Sequence, residues 1–314
     1  MNYSVIKFMK MKRFFFLVLG ILFLVSCDKV EHPYPPSLEL DTTIYPGNWS
    51  DYETTVWPTF GANTNTNRNV LIEDFTGHKC IYCPLAAKEA ENIEEQNENR
   101  VFVASIHTSS TGLGSFQELH EPIYIHDFTN PQGLEIGKFF GGLPGSTFVG
   151  NPWGAVNRVP INNQNTLGHE EWANAVNTLI SGNDLKVNIQ AKLNYYEATK
   201  GFYLHTEIEK IGTISNDLAQ VVYLIEDSII KPQAFPAGLD SMKFVHHNVH
   251  RGCIDGKAFG RTLSDADKNA NGKYYLNYSY KIPSQYNPAN MHLLVYVFDK
   301  LTYEIYQVIR VEIE

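Results

Sequence analysis

The chain has 314 residues, with 25 basic and 34 acidic side chains and a formal net charge of −9. That balance repels phosphate backbones and excludes nucleic acid as a partner. A hydrophobic content of 43% with 13% aromatic residues excludes disorder, and the length predicts two domains, each with its own core.

At the N-terminus, Lys7, Lys10, Lys12 and Arg13 precede an unbroken apolar run from Phe14 to Val25. This is the layout of an export signal. The 12-residue run spans only ~18 Å as a helix, against a hydrocarbon core of ~30 Å, so it is too short to serve as a transmembrane anchor. Leu24-Val25-Ser26-Cys27 matches the bacterial lipobox, which predicts removal of residues 1–26 and lipidation of Cys27. Residues 27–68 then read as a lipid-anchored tether, with Pro33, Pro35, Pro36, Pro46 and Pro58 and the polar run Asn63 to Asn67. Tyr45, Trp49, Tyr52 and Trp57 are more aromatics than a solvated linker carries, and argue that part of it packs on a domain.

Val70 to Phe75 reads as a strand that turns through Thr76-Gly77 into Cys80-Ile81-Tyr82-Cys83-Pro84. Pro84 to Asn97 follows as a helix, with proline in the first turn and Leu85, Ala86, Ala90 and Ile93 along one side. Val101 to Ile106 is a compact apolar strand covered on both faces, completing a βαβ opening. His107 to Phe128 is an inserted loop or short helix. A helix over Gly133 to Phe140, a strand over Gly154 to Val159 and a closing helix over Glu170 to Ile180 complete a first domain of residues 69–182.

Beyond residue 182 the hydrophobic period changes from 3.6 to 2. Alternation is visible over Val187 to Leu193, Phe202 to Ile208 and Tyr274 to Tyr280, and further strands are expected over Ala219 to Ile225, Leu293 to Phe298 and Ile305 to Ile313. Residues 183–314 are therefore expected to form an all-β, immunoglobulin-like sandwich.

Of the four cysteines, Cys27 is assigned to lipid, and Cys80 and Cys83 form a close pair that an oxidising compartment would keep as a disulfide. A zinc knuckle needs two more ligands at similar spacing, and none follows in the first domain. The strand before the motif and the helix after it favour redox chemistry, because a helix N-terminus stabilises a thiolate. Cys253 reads as a small buried hydrophobe. His246, His247 and His250 lack carboxylates at ligand spacing and read as a polar strand end or loop; neither metal nor cofactor is expected.

The segment Val70 to Pro84 resembles the active-site segment of thioredoxin-like proteins. It resembles more closely that of the 28-kilodalton outer-membrane lipoprotein family of Bacteroidetes, a thioredoxin-like domain followed by a β-sandwich. Asn151 to Arg158, Ile225-Glu226-Asp227, His247 to Gly252 and Leu293 to Ile313 extend the likeness to the C-terminus. The resemblance implies that Cys80 is the nucleophile, Cys83 the resolving cysteine and Asp74 a buried acid serving it. Glu73, its neighbour, competes for the inward position. It also implies a cis-proline, at Pro152 or else Pro144. Thr76, Lys79 and Ile81-Tyr82 depart from thioredoxin and leave the redox potential open. The implied location is the cell envelope, at the outer membrane.

Two functions are compatible with these features. One is an anchored thiol-disulfide oxidoreductase acting on thiols of exported proteins. The other is a binding or structural lipoprotein with an unidentified envelope partner, in which the Cys80 and Cys83 bond is inert.

Overall fold

The computed structural model describes residues 40–269 and 271–314. The expected export signal, residues 1–26, and Cys27 lie outside the described residues. β1 (Val70–Thr76) is buried along its whole length and pairs in parallel with β2 (Val101–His107). Between them runs α1 (Cys83–Gln96), which buries Cys83, Ala86, Ala90 and Ile93, a single stripe at helical spacing. α2 (Pro131–Gly141) is capped by Asn130, whose side chain accepts from the Gly133 amide. β3 (Trp153–Val156) pairs antiparallel with β1, and α3 (Trp172–Gly182) closes this part of the chain. Gly154 is required on β3: a Cβ there would lie 2.5 Å from both the Glu73 carbonyl and the Trp172 ring. Residues 108–128 form a loop with two isolated bridges and no helix.

The rest of the chain is strands: β4 (Val187–Tyr196), β5 (Gly201–Lys210), β6 (Leu218–Glu226), β7 (Ile229–Gln233), β8 (Ser241–His246), β9 (Val249–Cys253), β10 (Arg261–Thr262), β11 (Tyr274–Lys281), β12 (Met291–Asp299) and β13 (Ile305–Glu312). They form a β-rich, layered structure. A three-stranded sheet, β11-β5-β4, faces the strands β6, β12 and β13 across a core containing Phe202, Leu204, Val222, Leu276, Leu293 and Val295.

The expected boundary at residue 182 falls between α3 and β4, yet the strands on either side of it belong to one mixed sheet, ordered β13-β12-β6-β9-β2-β1-β3. The link is a single parallel pairing, Ser105 opposite Val249, where the Ser105 amide donates to the Asn248 carbonyl at 2.8 Å. Beneath it, Leu71, Phe75, Ile106, Ile136 and Phe140 pack with Ala219, Val221, Tyr223, Leu294, Tyr296 and Phe298 in one core. β6 and β12 are thus buried on both faces. Val222, Leu224, Leu293 and Val295 face the three-stranded sheet, and their sequence neighbours face β1 and β2.

Residues 40–57, part of the stretch expected as a tether, do not hang free. Ile44 and Tyr52 are fully buried against Tyr203 on β5. The Tyr52 hydroxyl lies 2.6 Å from His205 Nε2, and Trp49 stacks on Tyr52 at 4.9 Å. Aromatics of this size bury too much area to leave in water. The polar run beyond them is bonded too: Asn65 donates to the Asn188 side chain at 2.7 Å, and Asn63 to the Ile189 carbonyl at 3.2 Å.

A covered cysteine pair beside a buried carboxyl

Cys80 and Cys83 are joined in a disulfide with a Cα separation of 5.4 Å. The turn that carries them is tied locally, the Cys80 amide donating to the Gly77 carbonyl and the Cys83 amide to the Cys80 carbonyl. Pro84 occupies the first turn of α1, where no amide donor is required. Between the cysteines, Ile81 and Tyr82 are exposed, as is Leu85 after them.

Cys80 lies in the turn before α1 and Cys83 opens the helix, and both cysteines are only 1% exposed. The cover is the β7 and β8 hairpin, which the sequence reading missed. Gln233, at the end of β7, donates from Nε2 to the Cys80 carbonyl at 3.0 Å, and the Ala234 amide donates to the His78 carbonyl at 2.9 Å. The Tyr124 hydroxyl, from the long loop, donates to Asp240 in the hairpin connection at 2.5 Å.

Asp74 is the inward acid on the cysteine side. Neighbours on a strand point to opposite faces, so Val70, Ile72 and Asp74 look toward α1, and Leu71, Glu73 and Phe75 look the other way. Neither Asp74 oxygen has a hydrogen-bond partner in the protein, and burial pushes its carboxyl up to about 8. Asp74 and Cys83 line the same cavity, of about 30 Å³.

Glu73 has a different partner. Its two oxygens take Arg158 Nε and Nη2, each at 2.7 Å, and Tyr223 donates to it at 2.8 Å. Arg158 Nη2 also reaches the Tyr296 hydroxyl at 2.9 Å, and its guanidinium stands 5.1 Å from the Phe140 ring centre.

The Asn151-Pro152 bond is cis. Pro152 directly precedes β3, where Trp153 pairs with Phe75, and so lies at the end of the sheet from which the cysteine turn departs. Pro144 lies in an exposed turn after α2. Two amides that sequence reasoning did not single out bind this end together. Asn151 donates to the Phe75 and Thr108 carbonyls at 2.7 and 2.9 Å, and Gln117 to the Thr76 carbonyl at 2.7 Å.

Behind the cysteine turn sits a cluster of His78, His107, His246, Tyr124 and Phe128. Phe128 stacks on His107 at 4.4 Å and meets His246 at 4.4 Å. Both ring nitrogens of His78 and His107 lack protein partners. Burial holds His78 and His246 down to about 4, and His107 well below its usual range. His250 is buried against the Tyr223 ring, and Cys253 is a buried free thiol whose titration burial pushes well up. Among the described residues, no three His, Cys, Asp or Glu side chains are arranged to hold a metal ion.

This cluster sets the direction of acid sensitivity. A histidine with a depressed value is neutral in the fold and charged once unfolded, so falling pH favours the unfolded chain. His126, His205, His250 and His292 are depressed as well, which makes seven. Asp74, Glu94 and Asp255 are raised, as is His247, and these act in the opposite sense, being four against seven. The thermal midpoint should therefore fall as pH drops from about 6.5 to about 4. A midpoint that is flat or rising over that window, followed by circular dichroism, would contradict the assignment of neutral buried histidines.

A family model described as outer membrane protein Omp28 matches residues 146–314, just over half of the chain. A search of curated proteins returns no match. Among solved structures, HBP35 of Porphyromonas gingivalis is similar at 16% identity with a TM-score of 0.56, over 78% of this chain and 74% of that one. That likeness concerns the fold alone. A domain of the outer membrane lipoprotein Omp28 from Porphyromonas gingivalis matches at 22% identity and a TM-score of 0.29, over 42% of this chain and 90% of its own. An Agrobacterium tumefaciens protein matches at 10% identity and a TM-score of 0.49, over 78% of this chain and 94% of its own. Among the described residues, no helix is long and apolar enough to cross a membrane.

Proposed function

The chain belongs to the outer membrane protein Omp28 family, an envelope family, and from that premise we propose that it is a thiol-disulfide exchange protein acting on exported proteins through Cys80 and Cys83. The observation that carries the reading is Asp74. A buried carboxyl with no partner costs stability, and an inert staple has no use for one beside its sulfurs. A leaving thiolate has. The β1, α1, β2 order supports a thioredoxin-like reading of residues 69–182. The lipobox supports anchoring through lipid on Cys27.

In the oxidising direction, a client thiolate attacks Cys80 Sγ. The Cys80 to Cys83 bond breaks, and Cys83 leaves as a thiolate that takes the proton of neutral Asp74. The client's second thiolate then attacks its own sulfur in the mixed disulfide and releases Cys80. Two electrons have moved from the client dithiol to the pair, and the client leaves as a disulfide. The reducing direction reverses the same steps.

A second reading keeps the disulfide as an inert scaffold element, and the 1% exposure of both cysteines favours it. Oxidation of reduced ribonuclease separates the two. The wild-type protein should accelerate it at least about tenfold, Cys80→Ser should abolish the effect, and Cys83→Ser should accumulate a mixed disulfide through Cys80. A pair with a potential below about −300 mV, the range of structural disulfides, and no acceleration would leave the scaffold reading standing.

A further inference from the structure

The cavity that holds Cys83 and Asp74 does not end inside the protein. Its lining runs outward to His247 and Glu91, whose side chains are 38% and 32% exposed. Along the way it collects polar atoms without protein partners: both oxygens of Asp74, both ring nitrogens of His107 and Nε2 of His246. Each such atom is costly when buried and unpaired, so five around one space argue for water. A volume of about 30 Å³ exceeds the roughly 10–15 Å³ needed to hold one molecule.

At the outer end, His247 is fixed in place. Its Nδ1 lies 2.6 Å from Asp227 Oδ1, and its Nε2 faces Glu91 at 3.7 Å. We propose that this cavity is a water-filled proton path, in which His247, oriented by Asp227 and facing Glu91, passes protons between solvent and the Asp74 carboxyl. The path rests on the thiol-disulfide reading of the cysteine pair. His247 and Asp227 are positioning residues here, acting through Asp74.

The cycle is balanced by the exchange itself. When Cys83 leaves and takes the Asp74 proton, Asp74 is left as a buried anion. A proton from the His247 imidazolium then crosses the water, and solvent reprotonates His247. The groups facing this route are Asp227, Glu91 and Glu94 around His247, His292 beside Asp227 and Arg310 beside Glu94, with His107 and His246 along the interior. The Asp227 hydrogen bond, with the charges of Asp227, Glu91 and Glu94, holds His247 above its usual value against the opposing effect of burial. It therefore remains a proton donor at higher pH than a free imidazole.

The test is the pH profile for reduction of the Cys80 to Cys83 bond by dithiothreitol in the full-length protein. The rate constant is divided by the thiolate concentration, so that reductant ionisation drops out. In the wild type this rate should fall as pH rises through the His247 titration. His247→Gln should lower it about tenfold below that point and erase the step, with the equilibrium potential of the pair unchanged, and added imidazole should restore part of the rate. Glu91→Gln removes a neighbouring negative charge and should move the step to lower pH. A wild-type rate that keeps its pH step in both variants overturns the path while leaving exchange intact. A wild-type pair that dithiothreitol does not reduce at any pH overturns both.

Discussion

Arg158→Met should cost about 3–5 kcal/mol of folding stability, the penalty for leaving one member of a buried ion pair without its partner. Both charges are out of water: Arg158 is 0% and Glu73 1% exposed, and the two share a bidentate contact with both distances at 2.7 Å. Removing the guanidinium also takes a donor from the Tyr223 and Tyr296 hydroxyls. A loss of that size is a large fraction of the ~5–15 kcal/mol that holds a domain together. Urea unfolding monitored by tyrosine and tryptophan fluorescence measures it. The double variant Glu73→Leu with Arg158→Met should recover a large part of the loss, because no lone charge then remains buried. A single-variant cost below about 1 kcal/mol, or a double variant no better than the single, would show that the pair is solvated in a way the contacts do not suggest.

Cutting the chain at residue 182 should leave neither piece with a cooperative unfolding transition. The sequence reading predicts the opposite, since the change of hydrophobic period there looks like a domain boundary. The difference lies in β6 and β12. With the first piece gone, Ala219, Val221, Tyr223, Leu294, Tyr296 and Phe298 lose the side chains that cover them, and Leu71, Phe75, Ile136 and Phe140 lose theirs. Each large apolar side chain returned to water costs about 1.5–3 kcal/mol. Glu73 and Arg158 would be stranded together on the first piece with their tyrosine partners on the second. Residues 69–182 and 183–314, expressed separately, should bind a hydrophobic dye and melt without a sharp midpoint. Mixing them should restore a transition. A sharp midpoint for either fragment alone would mean that it repacks over its exposed face.

The same strands mark how far the sequence could be read. β1, α1 and β2 were legible because Pro84 fixes the start of the helix and its buried stripe recurs at helical spacing. The strand positions of β6, β12 and β13 were legible as apolar runs. The partners of β6 and β12 were not, because a strand buried on both faces shows no alternation and so does not say which core each side chain enters. β1 hides the choice between Glu73 and Asp74 for the same reason: both of its faces are apolar, and period alone says only that the two acids oppose each other. The β7 and β8 hairpin gave no signal, since most of its residues are exposed or half-buried. The cover over the cysteines therefore could not be read. His78 and His107 meet only through the parallel register that sets Thr76 opposite His107, a relation with no trace in local spacing.

The aromatic segment on β5 has a mechanical consequence. A force applied at residue 40 would not reach β1 directly. It would first have to strip Ile44 and Tyr52 from Tyr203 and His205, and then part the Asn63 and Asn65 contacts along β4. These attachments lie in series along the chain, so they peel one after another. The sheet beneath the cysteine pair stays unloaded until Arg68, whose guanidinium is itself clamped to Glu304 and the Ile305 carbonyl, takes up the strain. The packed segment is a shock absorber set between the point of pull and the end of the sheet that carries the cysteine pair.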